Sequence, residues 1–301
     1  ELRGLVERSA EWTRANLRGG IPLESCQAML DSAPRGLVPL LEGVSMSGTF
    51  SLTGQIEFDT RNLDRMVTQW SAANECRITA TPADVSPRRF ASSWVRQVKD
   101  ANGRTVALDA GPGSPGWAPR FSISRHMETA VLICEDGGFF RHHGFDQEGI
   151  RNSIRENVKA GKFVRGASTI SMQLAKNLYL PRDKTLSRKL QEAVLTMLLE
   201  QELTKDQILE LYLNVIEFGP GIYGIGPAAQ HYFNASPTQL SLGQSLYLAS
   251  ILPSPSRQYF GAGGQVTAGW MGYLRKLMRI AVKIHRITDE ELEDALREQV
   301  T

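Results

Sequence analysis

From Val44 to Asp59 the chain reads VSMSGTFSLTGQIEFD: every even position through Phe58 is apolar or glycine, and every odd one is polar or charged. A period of two sends alternate side chains to opposite faces of a strand. The stretch therefore predicts a hairpin or a long strand pair with one wet face. CRITATP (76–82) and TVALDAG (105–111) predict further short strands. Residues 1–40 read as helical, broken at GGIP and SAPRG. In AGPGSPGW (110–117) glycine and proline prevent regular structure, which places a linker there.

From Ser124 onward the period changes to that of a helix. SRKLQEAVLTMLLEQEL predicts a helix with an apolar stripe of Leu190, Val194, Met197 and Leu198. TKDQILELYLN opens with a capping box, Thr204 followed three residues on by Gln207. FGPGIYGIGPAAQHYF is glycine-rich before it returns to helix, and SLYLASILP is too short to cross a bilayer.

At 301 residues the chain can bury a large core in one domain or two. It has no run of 18 apolar residues and no signal peptide. It begins with Glu rather than Met, as expected of a fragment whose targeting segment lies elsewhere. Cys26, Cys76 and Cys134 form no zinc spacing. A Cys26–Cys76 disulfide is open to it in an oxidising compartment, and Cys134 reads as a small buried hydrophobe.

The net charge of +2 hides an uneven distribution. Between Lys159 and Lys189 stand eight basic residues (Lys159, Lys162, Arg165, Lys176, Arg182, Lys184, Arg188, Lys189) against one acidic, Asp183. The run brackets GASTISMQLAKN (166–177), where Ser168 is placed to cap a helix whose free N–H groups form an anion site, with Lys176 two turns on along the same face. This favours a phosphate-bearing partner. Nucleic acid fits the charge alone, since no aromatic stacking platform is interleaved with it.

CEDGGFFRHHGFD (134–146) puts Glu135 and Asp136 where an apolar helix meets a glycine turn. Either this is an acidic loop, or Glu135 is held half-buried to move a proton. Glu192 follows Arg188 by one helical turn, lies opposite the apolar stripe, and alone reads as a surface salt bridge. Two carboxylates with a basic cluster suggest glycosyl chemistry with a phosphate leaving group. His142, His143 and Asp146 give no workable metal spacing, so His142 is expected to order the glycine turn by a hydrogen bond.

EDGGFFRHHGFD, RGASTISMQLAKN, RKLQE, and KDQILELYLN followed by GIYGIGPAAQHYF resemble the successive motifs of family 51 glycosyltransferases, over roughly residues 120–290. These are the peptidoglycan polymerases of class A penicillin-binding proteins and monofunctional transglycosylases. The resemblance implies a mainly α fold, a lysozyme-like helical domain over 121–301. A small α+β module of antiparallel strands (1–110) and a linker (111–120) would precede it. It implies polymerisation of lipid II, with inversion and loss of undecaprenyl pyrophosphate. Glu135 would be the general base. Glu192 would position the acceptor or help hold a divalent cation, Mg or Mn, at the pyrophosphate. Ser168, Thr169, Gln173, Lys176, Lys184, Arg188 and Lys189 fall where the family binds phosphates and sugar. Asp136, Phe139 and His142 would support the base from behind. Implied partners are lipid II, the growing glycan, the membrane surface and other cell-wall synthesis proteins. The implied location is the periplasmic face of the bacterial inner membrane, with the anchor outside this chain.

Three positions depart from the family's pattern. Met172 replaces the first of two glutamines, Gln244 stands where a Glu often follows, and Gln191 stands where some members carry Lys. The chain ends soon after RITDEELEDAL, so a monofunctional enzyme is expected. Residues 37–64 with the later ECRI are similar to the last repeat of AsmA-like periplasmic proteins, built of amphipathic strands. The rivals are a lysozyme-like peptidoglycan-cleaving enzyme, which needs no phosphate cluster, and a catalytically weak scaffold that binds the precursor.

Overall fold

The computed structural model describes residues 1–181, 185–257, 259–261 and 263–300. Strands β1 (Leu2–Arg8) and β2 (Thr13–Ser25) open the chain, then helix α1 (Cys26–Asp31). Strands β3 (Ser45–Ser47), β4 (Thr49–Asp59), β5 (Val67–Asn74), β6 (Arg77–Ala80), β7 (Trp94–Lys99) and β8 (Thr105–Ala110) follow. Then come α2 (Arg125–Glu135), α3 (Gln147–Ala160), α4 (Ile170–Tyr179), α5 (Leu186–Glu202) and α6 (Lys205–Val215). A short ladder of β9 (Glu217–Gly219) and β10 (Ile222–Tyr223) leads to α7 (Ile225–Phe233), α8 (Leu242–Ile251), α9 (Ala268–Lys283) and α10 (Asp289–Arg297). The fold is mainly helical with a small antiparallel sheet towards the N-terminus, as the sequence predicts.

Backbone contacts divide the chain into two compact units. One is Glu1–Ser86, Phe145–Ala167 and Arg182–Gln201; the other is Pro87–Gly144, Ser168–Pro181 and Glu202–Thr301. The division is discontinuous in sequence and differs from a cut at 111–120. The β7–β8 hairpin falls in the second unit, and α3 with nearly all of α5 falls in the first.

In the first unit an antiparallel sheet runs β1-β2-β4-β5. Residues 1–40 read as helical, but up to Ser25 they form strands β1 and β2, and only the part from Cys26 onward is helical. Ala15, Leu17 and Ile21 alternate with Arg14, Asn16 and Arg18, and the register sets Ala15 opposite Phe58 and Leu17 opposite Ile56. Pairing with β4 decides the matter, because the glycines and Pro22 of β2 favour no helix. The alternating stretch forms two strands, β3 and β4. It bends at Gly48 (φ +85°), so β3 pairs with β6 while β4 joins the larger sheet. A Cβ at Gly48 would lie 2.1 Å from the Glu75 carbonyl oxygen, so only glycine fits. Cys26 and Cys76 form a disulfide.

Side-chain amides tie α5 to this module. Gln191 Oε1 accepts the Leu40 N–H at 3.0 Å. Gln201 pairs with both backbone groups of Ile78, at 3.0 and 2.6 Å. From α3, the Arg151 guanidinium lies 5.1 Å from the Trp70 ring centroid.

In the second unit α2 packs on α8 and α9, and α4 packs on α6. Ile208, Leu209, Tyr212, Leu213 and Val215 of α6 are fully buried. The hairpin is pinned to α6 by Arg96, which donates to the Val215 carbonyl at 2.7 Å, where the helix dipole favours a cation. Beyond the glycine-rich stretch, Ala118 exchanges both backbone hydrogen bonds with the Asn214 amide. The Thr204–Gln207 capping box that starts α6 is present.

Candidate active site

The second unit holds the acidic pair. Helix α2 starts on the Ser124 cap and buries Met127, Ala130 and Val131; it stops at Glu135 because Asp136 takes a non-helical backbone (φ −159°, ψ 79°). Glu135 therefore projects from a helix end held by its own apolar face. Its Oε2 accepts from Gln173 Nε2 at 2.8 Å. Its Oε1 is buried and has no hydrogen-bond partner among the described residues. Burial pushes the carboxyl above the ordinary glutamate value. The Gln173 hydrogen bond and the nearby Lys176 ammonium pull it down, and the Asp136 charge adds a smaller upward push. The result is a carboxylate of raised basicity with one oxygen unpaired, a combination that suits a general base.

Asp136, the next residue, is buried. Its Oδ2 accepts the Ile170 N–H at 3.0 Å, and both oxygens lie 3.0 Å from His142 Nε2. A carboxylate only accepts, so Nε2 carries the proton. His142 thus orders the turn by a hydrogen bond, as expected. Phe139 is fully buried, edge-on to Phe140, with the Lys205 ammonium 4.4 Å from its ring centroid.

The start of α4 differs from expectation. The cap is Thr169, not Ser168: its Oγ1 accepts the Met172 N–H at 3.2 Å and donates to the Gly144 carbonyl at 2.6 Å. Both residues are able to cap, and the buried Gly144 carbonyl selects the threonine, leaving Ser168 exposed. Nor are these N–H groups open to an anion, since Ile170 donates to Asp136 and Met172 to Thr169.

In the first unit α5 brings Arg188, Lys189 and Glu192 together. Arg188 Nη1 donates to Glu192 Oε2 at 3.0 Å, and Lys189 Nζ donates to Oε1. Glu192 is only 2 % exposed, not a surface residue. The buried face of α5 carries Gln191, Glu192, Leu195, Leu198 and Leu199, whereas Leu190 of the expected stripe is 50 % exposed. Apolar residues lie all round this helix, so periodicity alone could not choose the inward face. Both Glu192 oxygens accept from cations. The residues present do not fit a divalent ion bound by this side chain. Lys184 lies outside the described residues.

Each departure from the family pattern has a local structural role. Met172 is buried, Gln191 accepts the Leu40 N–H, and Gln244 closes a capping box with Ser241, a position that glutamine and glutamate fill equally. Sequence reasoning missed two tyrosines. Tyr212, in the apolar run LELYLNV, reads as core, yet its hydroxyl donates to Gln173 Oε1 at 3.1 Å. Tyr273 of α9 is 40 % exposed and lies within electrostatic reach of Glu135.

The second unit thus holds a buried carboxylate at a helix end, hydrogen-bonded to an amide and influenced by a nearby lysine. The transglycosylase family model matches residues 112–268, more than half of the chain. A biosynthetic peptidoglycan transglycosylase of Alcanivorax borkumensis is 48% identical over 167 residues, covering 54% of this chain and 68% of that protein. Proteins of the same description from Dechloromonas aromatica and Acinetobacter baylyi are 48% and 45% identical over 139 residues. The chain spans 60% and 62% of their lengths. The chain belongs to the transglycosylase family.

Proposed function

We propose that the chain polymerises lipid II into peptidoglycan glycan strands. Glu135 Oε1 takes the proton of the acceptor's sugar 4-hydroxyl. The freed oxygen attacks the anomeric carbon of the donor chain with inversion, and the bond to undecaprenyl pyrophosphate breaks, its electrons leaving with the diphosphate. Lys176 steadies negative charge beside the base. Arg188 and Lys189, matched to the family's third motif, supply charge for the diphosphate, and Glu192 fixes their side chains. The observation that carries this reading is the Glu135 carboxyl, held on one oxygen by Gln173 and left without a hydrogen-bond partner among the described residues on the other.

The reaction belongs at the periplasmic face of the bacterial inner membrane, and the strand module, similar to AsmA-like repeats, would hold the enzyme near lipid. No helix among the described residues is long and apolar enough to cross a membrane. The test is labelled lipid II in detergent, with the parent chain beside Glu135→Gln. Polymer from the parent alone supports the reading. Polymer from both, or cleavage of preformed glycan by the parent, refutes it.

A further inference from the structure

Gln173 has two chemically different ends, and a carboxamide in a symmetric pocket turns over freely. Only its NH2 group stabilises an ionised Glu135; its oxygen would repel the carboxylate and instead favour the protonated acid. Which end faces the base is therefore a chemical setting, fixed by whatever holds the other end. Here that group is Tyr212. Its hydroxyl donates to Gln173 Oε1 at 3.1 Å, while Gln173 Nε2 donates to Glu135 Oε2 at 2.8 Å. Tyr212 is fully buried on α6, so water does not compete for the contact. Helix α4 packs directly on α6, which keeps the donor and the amide in register.

We propose that Tyr212 is a positioning residue for the reaction, holding the Gln173 carboxamide with its NH2 group towards Glu135 so that the base is presented ionised with its other oxygen unpaired. Donation to the amide oxygen also polarises the N–H bonds and strengthens the hydrogen bond to the carboxylate. The two effects have the same sign. Losing the hydroxyl weakens the stabilisation of the carboxylate and frees the amide to turn, and each change makes Glu135 harder to ionise. Tyrosine can fill this place because its own ionisation is suppressed. Burial, then the neighbouring Glu135 charge, push its pKa well above the ordinary value, so it stays a donor.

The catalytic meaning of this relay rests on the reading of Glu135 as general base, but its test does not. The chain is labelled with glutamate carrying carbon-13 at the carboxyl, and the Glu135 signal is identified by its loss in Glu135→Gln. Its titration is then followed by NMR. Tyr212→Phe should move the Glu135 titration to higher pH by roughly half a unit. In a Gln173→Ala background the same change should add no shift. Replacing Tyr212 by 3-fluorotyrosine, a stronger donor of nearly the same shape, should move it to lower pH. This substitution serves if the phenylalanine variant does not fold. An unmoved titration in the folded variants, or an equal shift without Gln173, overturns the proposal. A chain with the expected shifts that makes no polymer upholds the relay and refutes the polymerase reading.

Discussion

The carboxylate of Asp136, at the end of α2, accepts the backbone N–H of Ile170, the first residue of α4, at 3.0 Å. One side chain thus sets the distance between the helix that carries Glu135 and the helix that carries Gln173. Asp136→Ala would strand the Ile170 N–H and the His142 ring N–H together. The expected cost is about 2–4 kcal/mol of stability, since a buried charged acceptor is lost and its donors stay buried. Urea unfolding measures it, and a loss below about 1 kcal/mol would mean that water replaces the carboxylate.

Glu135→Gln is expected to trade stability against activity. The folded carboxyl titrates above its unfolded value because it is buried. Between those two values the native state binds more protons than the unfolded one, so stability falls as pH rises through that window. Glutamine removes the buried charge. The variant should therefore melt higher than the parent at neutral pH, with the difference vanishing below the ordinary glutamate range. Polymerisation should drop about 10²–10⁴-fold. Paired melting curves at neutral and acid pH check this, and a variant that melts lower at neutral pH contradicts it.

Arg188 and Lys189 share one carboxylate but not one environment. The Arg188 side chain is 16 % exposed and that of Lys189 is 45 % exposed, while the Glu192 side chain is at 3 %. Arg188→Ala is expected to cost about 3 kcal/mol, because it strips a buried carboxylate of its buried partner. Lys189→Ala should cost about 1 kcal/mol or less. Calorimetry of both variants tests the order. Equal losses would show that the lysine is held as firmly as the arginine.

Gln191 Oε1 accepts the Leu40 N–H. A lysine has no acceptor to offer, so Gln191→Lys should leave that amide unpaired at a cost of about 1–3 kcal/mol. Hydrogen exchange at Leu40 should speed up while exchange along β4 stays unchanged. No change at Leu40 would show that another group takes its proton.

The helices from Ser124 onward, the capping box at Thr204 and the acidic pair are legible in the sequence because each is a local pattern: a period, a cap, a charge beside a turn. The motifs that mark the family are local too, which is why Glu135, Gln173 and Glu192 stand out from the order of residues alone. Features that are not local carry no such mark. Thr13–Ser25 become strand because β2 finds β4, with Ala15 opposite Phe58, and a pairing over more than 40 residues leaves no short-range signal. Thr169 displaces Ser168 as cap because Gly144 offers a carbonyl from another segment.

The sequence by itself determined the family, the helical character of the C-terminal part and the residue types at the site. Those follow from chemistry and period, which a chain carries in its order of residues. Only the tertiary structure decided which face of α5 turns inward and what Asp136 braces. It also decided which end of Gln173 meets Glu135. An amide's orientation and a helix's buried side are choices made by neighbours distant in sequence, through hydrogen bonds that exist only once the chain has folded.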